Sequence, residues 1–191
     1  MLIKNEFEVA EPVDKVWQFF QNIPQVATCL PGTALTEELN DDKYKGTVAV
    51  RMGPVRLQFA GTADITSRDE AAHRIVVNAV GAEQKGRGQA SMVVTATLVK
   101  TGRGTRIDVT QDLQLAGAAA QYGRGMISDV TAVLMHEFSA NLQDRIARID
   151  RGESVSMTSA APARGFSLAL RAARMALARV FRRFFLPYQE A

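Results

Sequence analysis

AQYGRGMISDVTAVLMHEFSANLQDRIARID, residues 120–150, is the stretch on which the fold turns. Its apolar residues Met126, Ile127, Val130, Val133, Leu134, Phe138, Leu142, Ile146 and Ile149 recur at three- and four-residue steps, which predicts one long helix with a buried stripe. Arg145 and Arg148 stand near its C-terminal end, where a cation complements the helix dipole. Nothing else in the first 150 residues is long enough to cover the apolar face of a sheet.

The segments before it supply that sheet. In 44–52, Gly46, Val48, Val50 and Met52 share one face and Lys45, Thr47, Ala49 and Arg51 the other, before Gly53-Pro54 turns the chain. In 55–65, Val55, Leu57, Phe59, Gly61, Ala63 and Ile65 form the apolar side. A polar turn leads to 74–80, and 85–99 then sets Gly88, Ala90, Met92, Val94, Ala96 and Leu98 on one face. After Gly102 and Gly104, Ile107, Val109, Gln111, Leu113 and Leu115 alternate with polar residues. With the shorter 33–39 in front, this reads as a meander of antiparallel hairpins, one face apolar and one wet.

At the start, residues 2–9 alternate as a strand, with Ile3, Phe7 and Val9 on one side. Pro12 then falls near the first turn of a helix, where its missing N–H is tolerated. That helix buries Val16, Phe19, Phe20 and Ile23, with Trp17 at the margin. Pro24 ends or breaks it, and 25–29 form a second turn before Leu30-Pro31-Gly32. The order predicts an α+β fold in which a curved antiparallel seven-stranded sheet wraps around a long C-terminal helix, all within residues 1–150.

Residues 151–163 (RGESVSMTSAAPA) are small, polar and Pro-containing, as in a flexible linker able to span roughly 40 Å when extended. Residues 164–186 (RGFSLALRAARMALARVFRRFFL) predict a separate amphipathic tail helix with six arginines and no acid. Arg171, Arg174, Arg179, Arg182 and Arg183 lie opposite an apolar stripe, and Phe181, Phe184 and Phe185 are placed to insert at an acyl boundary. Packing back on the body or binding an acidic groove are the other readings. An anionic membrane surface accounts best for the arginines, each contributing ~1 kcal/mol there.

Composition separates these parts. Residues 1–150 hold 16 basic and 18 acidic side chains, a net of −2, whereas 151–191 hold 7 and 2, a net of +5. The body therefore shows no nucleic-acid footprint. The one cysteine, Cys29, precludes an internal disulfide and suits a reducing compartment. Acids among the first twelve residues argue against a signal peptide. No uncharged apolar run approaches the roughly 18 residues of a membrane span. The expectation is a cytoplasmic protein peripherally attached to the inner face of the cell membrane.

Several motifs carry a resemblance. Pro12-Val13-Asp14-Lys15-Val16-Trp17, the Leu30-Pro31-Gly32 turn, Gly86-Arg87-Gly88-Gln89-Ala90 and the helix start at 123–130 are similar to the CoxG family of carbon monoxide dehydrogenase subunits. That family lies within the START-like (SRPBCC), helix-grip superfamily, and the resemblance covers about residues 1–150. It implies a non-catalytic accessory protein of molybdenum carbon monoxide dehydrogenase, an enzyme that must pass electrons to the quinone pool. The expected ligand is a respiratory quinone, menaquinone or ubiquinone, carried in an apolar cavity between membrane and enzyme. The alternative is a solid adaptor that recruits or assembles the dehydrogenase at the membrane without a carried ligand.

The expected cavity rests on a contrast of sizes on the apolar faces. Small residues such as Gly46, Gly61, Ala63 and Ala90 leave volume, and larger ones would wall it: Phe20, Leu30, Val50, Leu57, Phe59, Met92, Val94, Leu113, Met126 and Val130. The opposing reading is a sheet pressed closely on its helix, with glycines marking bulges. Gln111 is the polar exception on its face; it answers either a ligand carbonyl or a structural partner. Neither catalytic nor metal-binding residues are expected. His73, His136 and Cys29 have no ligand spacing, Glu137 lacks a second histidine, and Ser128-Asp129 sits in no nucleophile turn.

Overall fold

The computed structural model describes residues 1–40 and 42–153, so the linker beyond 153 and the predicted tail helix, with Arg171, Arg174, Arg179, Phe181, Arg182, Arg183, Phe184 and Phe185, lie outside the described residues. The elements follow the order β1 (Leu2–Val9), α1 (Val13–Phe20), α2 (Ile23–Cys29), β2 (Thr33–Asn40), β3 (Lys43–Met52), β4 (Val55–Asp69), β5 (Arg74–Glu83), β6 (Gly88–Thr101), β7 (Gly104–Gly117) and α3 (Arg124–Asp150). All seven strands form one antiparallel sheet in the order β1-β7-β6-β5-β4-β3-β2. Hairpins build six of them in sequence, and β1 joins the far edge by pairing Leu2–Val9 with Thr105–Asp112. Helix α3 packs on β1, β3 and α2.

Several boundaries differ from the sequence expectations for identifiable reasons. Helix α1 stops at Phe20, so Pro24 does not end it. Pro24 stands in the first turn of α2, where the Asn22 side chain caps the helix by accepting from the Gln25 amide at 3.1 Å. Pro12 is the residue just before α1, and Trp17 is buried rather than marginal. Strand β4 continues past Ile65 because a bulge between Ile65 and Ser67 resets its alternation. Helix α3 begins at Arg124; a 3-10 turn, Ala118–Gln121, precedes it. Three of its predicted inward residues, Met126, Val133 and Ile149, are exposed.

The core is in two parts. Around α1, α2 and the C-terminal half of α3, Val16, Trp17, Phe20, Ile107, Leu142 and Ile146 bury one cluster. There Phe138 meets Phe7 and Phe20 edge-to-face, with centroids 5.8 and 6.4 Å apart. At the other end Ile3, Met52, Leu57 and Ile127 form a second cluster under the first turns of α3. Ile107 and Leu142 are fully buried, yet many inward residues between the clusters are only half-buried.

One buried ion pair ties the sheet together beside the second cluster. The Glu83 carboxylate, 1% exposed, accepts from Arg87 Nη2 at 2.7 Å and from the amides of Lys85 (2.8 Å) and Arg87 (3.2 Å). The same guanidinium donates to the Arg56 carbonyl at 2.9 Å, joining the β5–β6 turn to the start of β4. The Gly86–Gly88 segment, expected as a strand opening, is thus partly a turn organised by a carboxylate. Its bonds to Arg87, and then to the turn amides, hold the Glu83 carboxyl down at about 2 from an ordinary 4.5. A carboxyl with a depressed folded pKa contributes stability that is complete above its unfolded pKa and is lost as pH falls toward the folded one. The urea midpoint of the native chain should therefore exceed that of Glu83→Gln at pH 7, and the gap should close between about pH 4.5 and 2. A gap independent of pH would show that the charge contributes nothing.

Candidate ligand-binding site

The space between the two clusters is a cavity of about 460 Å³. Its origin lies in the register. Gly46 pairs with Gly61, Gly61 with Gly81, and Gly81 with Ala90, so one row crossing four adjacent strands has almost no side chains. In the next inward row Ala63 pairs with Ala79, and Ala79 with Met92. Large residues surround these rows, and α3 spans them without reaching the floor. Thr47, Thr62 and Val80 point to the outer face yet border the cavity, because their glycine neighbours have no Cβ to cover the backbone.

The glycines also meet a backbone requirement. A Cβ on Gly61 would lie 1.9 Å from the Val80 carbonyl oxygen, and one on Gly46 would lie 2.6 Å from that of Ala34. The strands approach too closely there for any side chain.

The structure brings together nearly all the residues expected at the cavity. Phe20, Leu30, Val50, Leu57, Phe59, Ala90, Met92, Val94, Gln111, Leu113 and Val130 line it. Met126 does not: it is 44% exposed, and Ile127, 6% exposed, faces inward instead. One residue turns a helix by about 100°, so a stripe read one position early points to solvent. Sequence reasoning missed Ile23 and Val26 of α2, Leu35 and Tyr44 near the β2–β3 hairpin, and Ala79, Val77 and Phe138. The three-residue step from Ile23 to Val26 was a usable signal. Gly81 was invisible because nothing local announces that it lies in line with Gly61.

Chemically the wall is almost wholly apolar. Gln111, 6% exposed, is the one side-chain amide among the described residues of the wall. Among the hydroxyls on the wall, Thr131 Oγ1 already donates to the Ile127 carbonyl at 2.8 Å. Thr33 Oγ1 is buried without a partner among the described residues. Burial, and then the charges of Glu38 and Asp42, push the Tyr44 phenol up, so it stays protonated.

Cys29 is fully buried against α3, where Asn141 Nδ2 donates to its carbonyl at 2.9 Å. Desolvation pushes the thiol up to about 11, which leaves it a core residue with little thiolate at neutral pH. His73 packs edge-to-face on Trp17 at 5.4 Å, away from the cavity. Among the described residues no group of three or more His, Cys, Asp or Glu is arranged to hold a metal ion. No helix of the described residues is long and apolar enough to cross a membrane.

This architecture recurs in solved structures. A conserved protein from Geobacillus kaustophilus aligns with a TM-score of 0.68 at 20% identity, over 78% of this chain and 96% of that one. The Zhui aromatase/cyclase from a Streptomyces species aligns with 0.57 at 15% identity, over 81% and 99%. A protein from Thermus thermophilus gives 0.55 at 13% identity, over 78% and 99%. At these identities the likeness shows the helix-grip fold alone. No curated protein matches the chain in sequence. A family profile does: residues 6–147, most of the chain, match the CoxG family of carbon monoxide dehydrogenase subunits, and the chain belongs to that family.

Proposed function

We propose that this chain is a non-catalytic accessory subunit of molybdenum carbon monoxide dehydrogenase that carries a respiratory quinone, menaquinone or ubiquinone, between membrane and enzyme. The family ties the chain to that dehydrogenase. The observation that supports a carrier is the apolar cavity of about 460 Å³, within the range of pockets that enclose small lipophilic ligands. A solid adaptor would have no use for a sheet hollowed along two rows. The residues suit a quinone: apolar walls for ring and prenyl chain, and one amide, that of Gln111, to meet a carbonyl. A catalytic role would need an acid–base pair at the cavity, and among the described residues its wall holds no carboxylate, histidine or lysine.

In this reading the basic residues of 164–186 hold the carrier at anionic lipid, where the quinone is dissolved. The test is lipid extraction and mass spectrometry of the chain purified from membranes containing its dehydrogenase. Quinone should be recovered at up to one molecule per chain. A chain ending at residue 163 should still take up quinone but no longer float with anionic vesicles. A chain that recovers no quinone and takes none up from loaded vesicles would return the reading to the adaptor.

A further inference from the structure

We propose that the ligand is a one-headed amphiphile held polar end inward, with Gln111 as the residue that orients it. The inference rests on the cavity being a carrier site, but not on the ligand being a quinone. Gln111 sits on β7, paired with Ile3 of β1 and Val94 of β6. Ile3 and the adjacent inward residue Val109 are each 6% exposed, so this end of the cavity is closed. The Gln111 amide stands on the cavity wall among Ile3, Val94, Val109 and Leu113, which offer only hydrocarbon, so a ligand oxygen there meets a donor that none of these neighbours competes for.

Burial is lower over the small-residue rows, where Ala79, Gly81, Gly61 and Gly46 form the floor and Val26 and Leu35 the walls, all half-buried, whereas Ile75, Ile65, Tyr44, Leu57 and Met52 on the same strands stay buried. From Gln111 to Gly81 is two strand spacings across and four residues along, roughly 16 Å on the sheet. A ligand spanning that path needs an acceptor or donor at one end and a long apolar remainder. The remainder leaves over the glycine row toward the α2–β2 side. Thr33, on the edge strand β2, has a buried hydroxyl without a partner among the described residues on that side, the other polar group a ligand head could meet. A ligand held the other way round would depend on Thr33 instead of Gln111.

The experiment uses the full chain with menaquinone-4, oleic acid and squalene, the last having no polar group. Affinities are read by competition with an apolar fluorophore, and contact by NMR of the ¹⁵N-glutamine side-chain amides, with Gln111→Leu identifying its own signal. Menaquinone-4 should move the Gln111 amide resonances. Gln111→Leu should weaken menaquinone-4 about tenfold, the loss of one buried hydrogen bond. Squalene should be unaffected, and Thr33→Val should change menaquinone-4 by less than about twofold. Gln111→Leu should melt no lower than the native chain, since leucine is of similar size and its wall neighbours are apolar; a clear fall would mark Gln111 as structural and overturn the proposal.

Menaquinone-4 binding that ignores Gln111→Leu, or that falls with Thr33→Val, overturns the orientation and leaves the quinone reading standing. Binding of oleic acid with the same Gln111 dependence, without menaquinone-4, upholds the orientation and sinks the quinone. If neither binds, both fall.

Discussion

Gly61→Ala is expected to lower the melting temperature by about 10 °C. The added carbon would stand 1.9 Å from the Val80 carbonyl oxygen and 2.6 Å from the Gly81 Cα, both backbone atoms of the neighbouring strand. No rotamer relieves that contact, so β4 and β5 must part, at a cost of roughly 3 kcal/mol or more. Gly125→Ala is the control. That glycine lies within α3 with nothing inside 4 Å of its would-be Cβ, so the substitution should stabilise by up to ~1 kcal/mol through helix propensity. Thermal melts of both variants decide the matter. Equal and small shifts would mean that the strands are not held as close as they stand.

Ala79→Phe should do the reverse: leave the fold intact and abolish uptake. Ala79 faces the cavity between Ala63 and Met92, two residues along β5 from the glycine row. A phenyl group there occupies the middle of the path from Gln111 to the α2–β2 side. Menaquinone-4 affinity should fall about a hundredfold, the equivalent of ~3 kcal/mol of overlap. Thermal stability should hold or rise, because apolar atoms fill empty apolar space. Undiminished binding with an unchanged melt would place the ligand elsewhere on the molecule. Together the two variants separate the tasks of adjacent rows: glycines at 46, 61 and 81 let the sheet coil, and alanines at 63 and 79 keep it hollow.

Much of this was legible in the chain. Alternation placed five strands and the 3.6-residue period placed α3, because binary patterning reports which face each residue turns inward. The cavity residues on β3, β4, β6 and β7 followed from that parity. The misreadings share one cause. Met126 and Val133 are apolar and correctly spaced, yet the first half of α3 has apolar residues on two sides, so spacing could not say which one covers the sheet. The bulge after Ile65, the capping of α2 by Asn22 and the Glu83–Arg87 pair each depend on neighbours that local patterns do not contain.

By itself, then, the sequence determined the elements, their order, the small residues that make a hollow conceivable, and the family through residues 6–147. Only the tertiary structure decided that the hollow exists. A cavity is a property of register: Gly46, Gly61, Gly81 and Ala90 are far apart in the chain and align only when β3 to β6 pair. Likewise Gln111 is an ordinary strand glutamine until β1 and β6 flank it, bury it to 6% exposure and set it on the cavity wall.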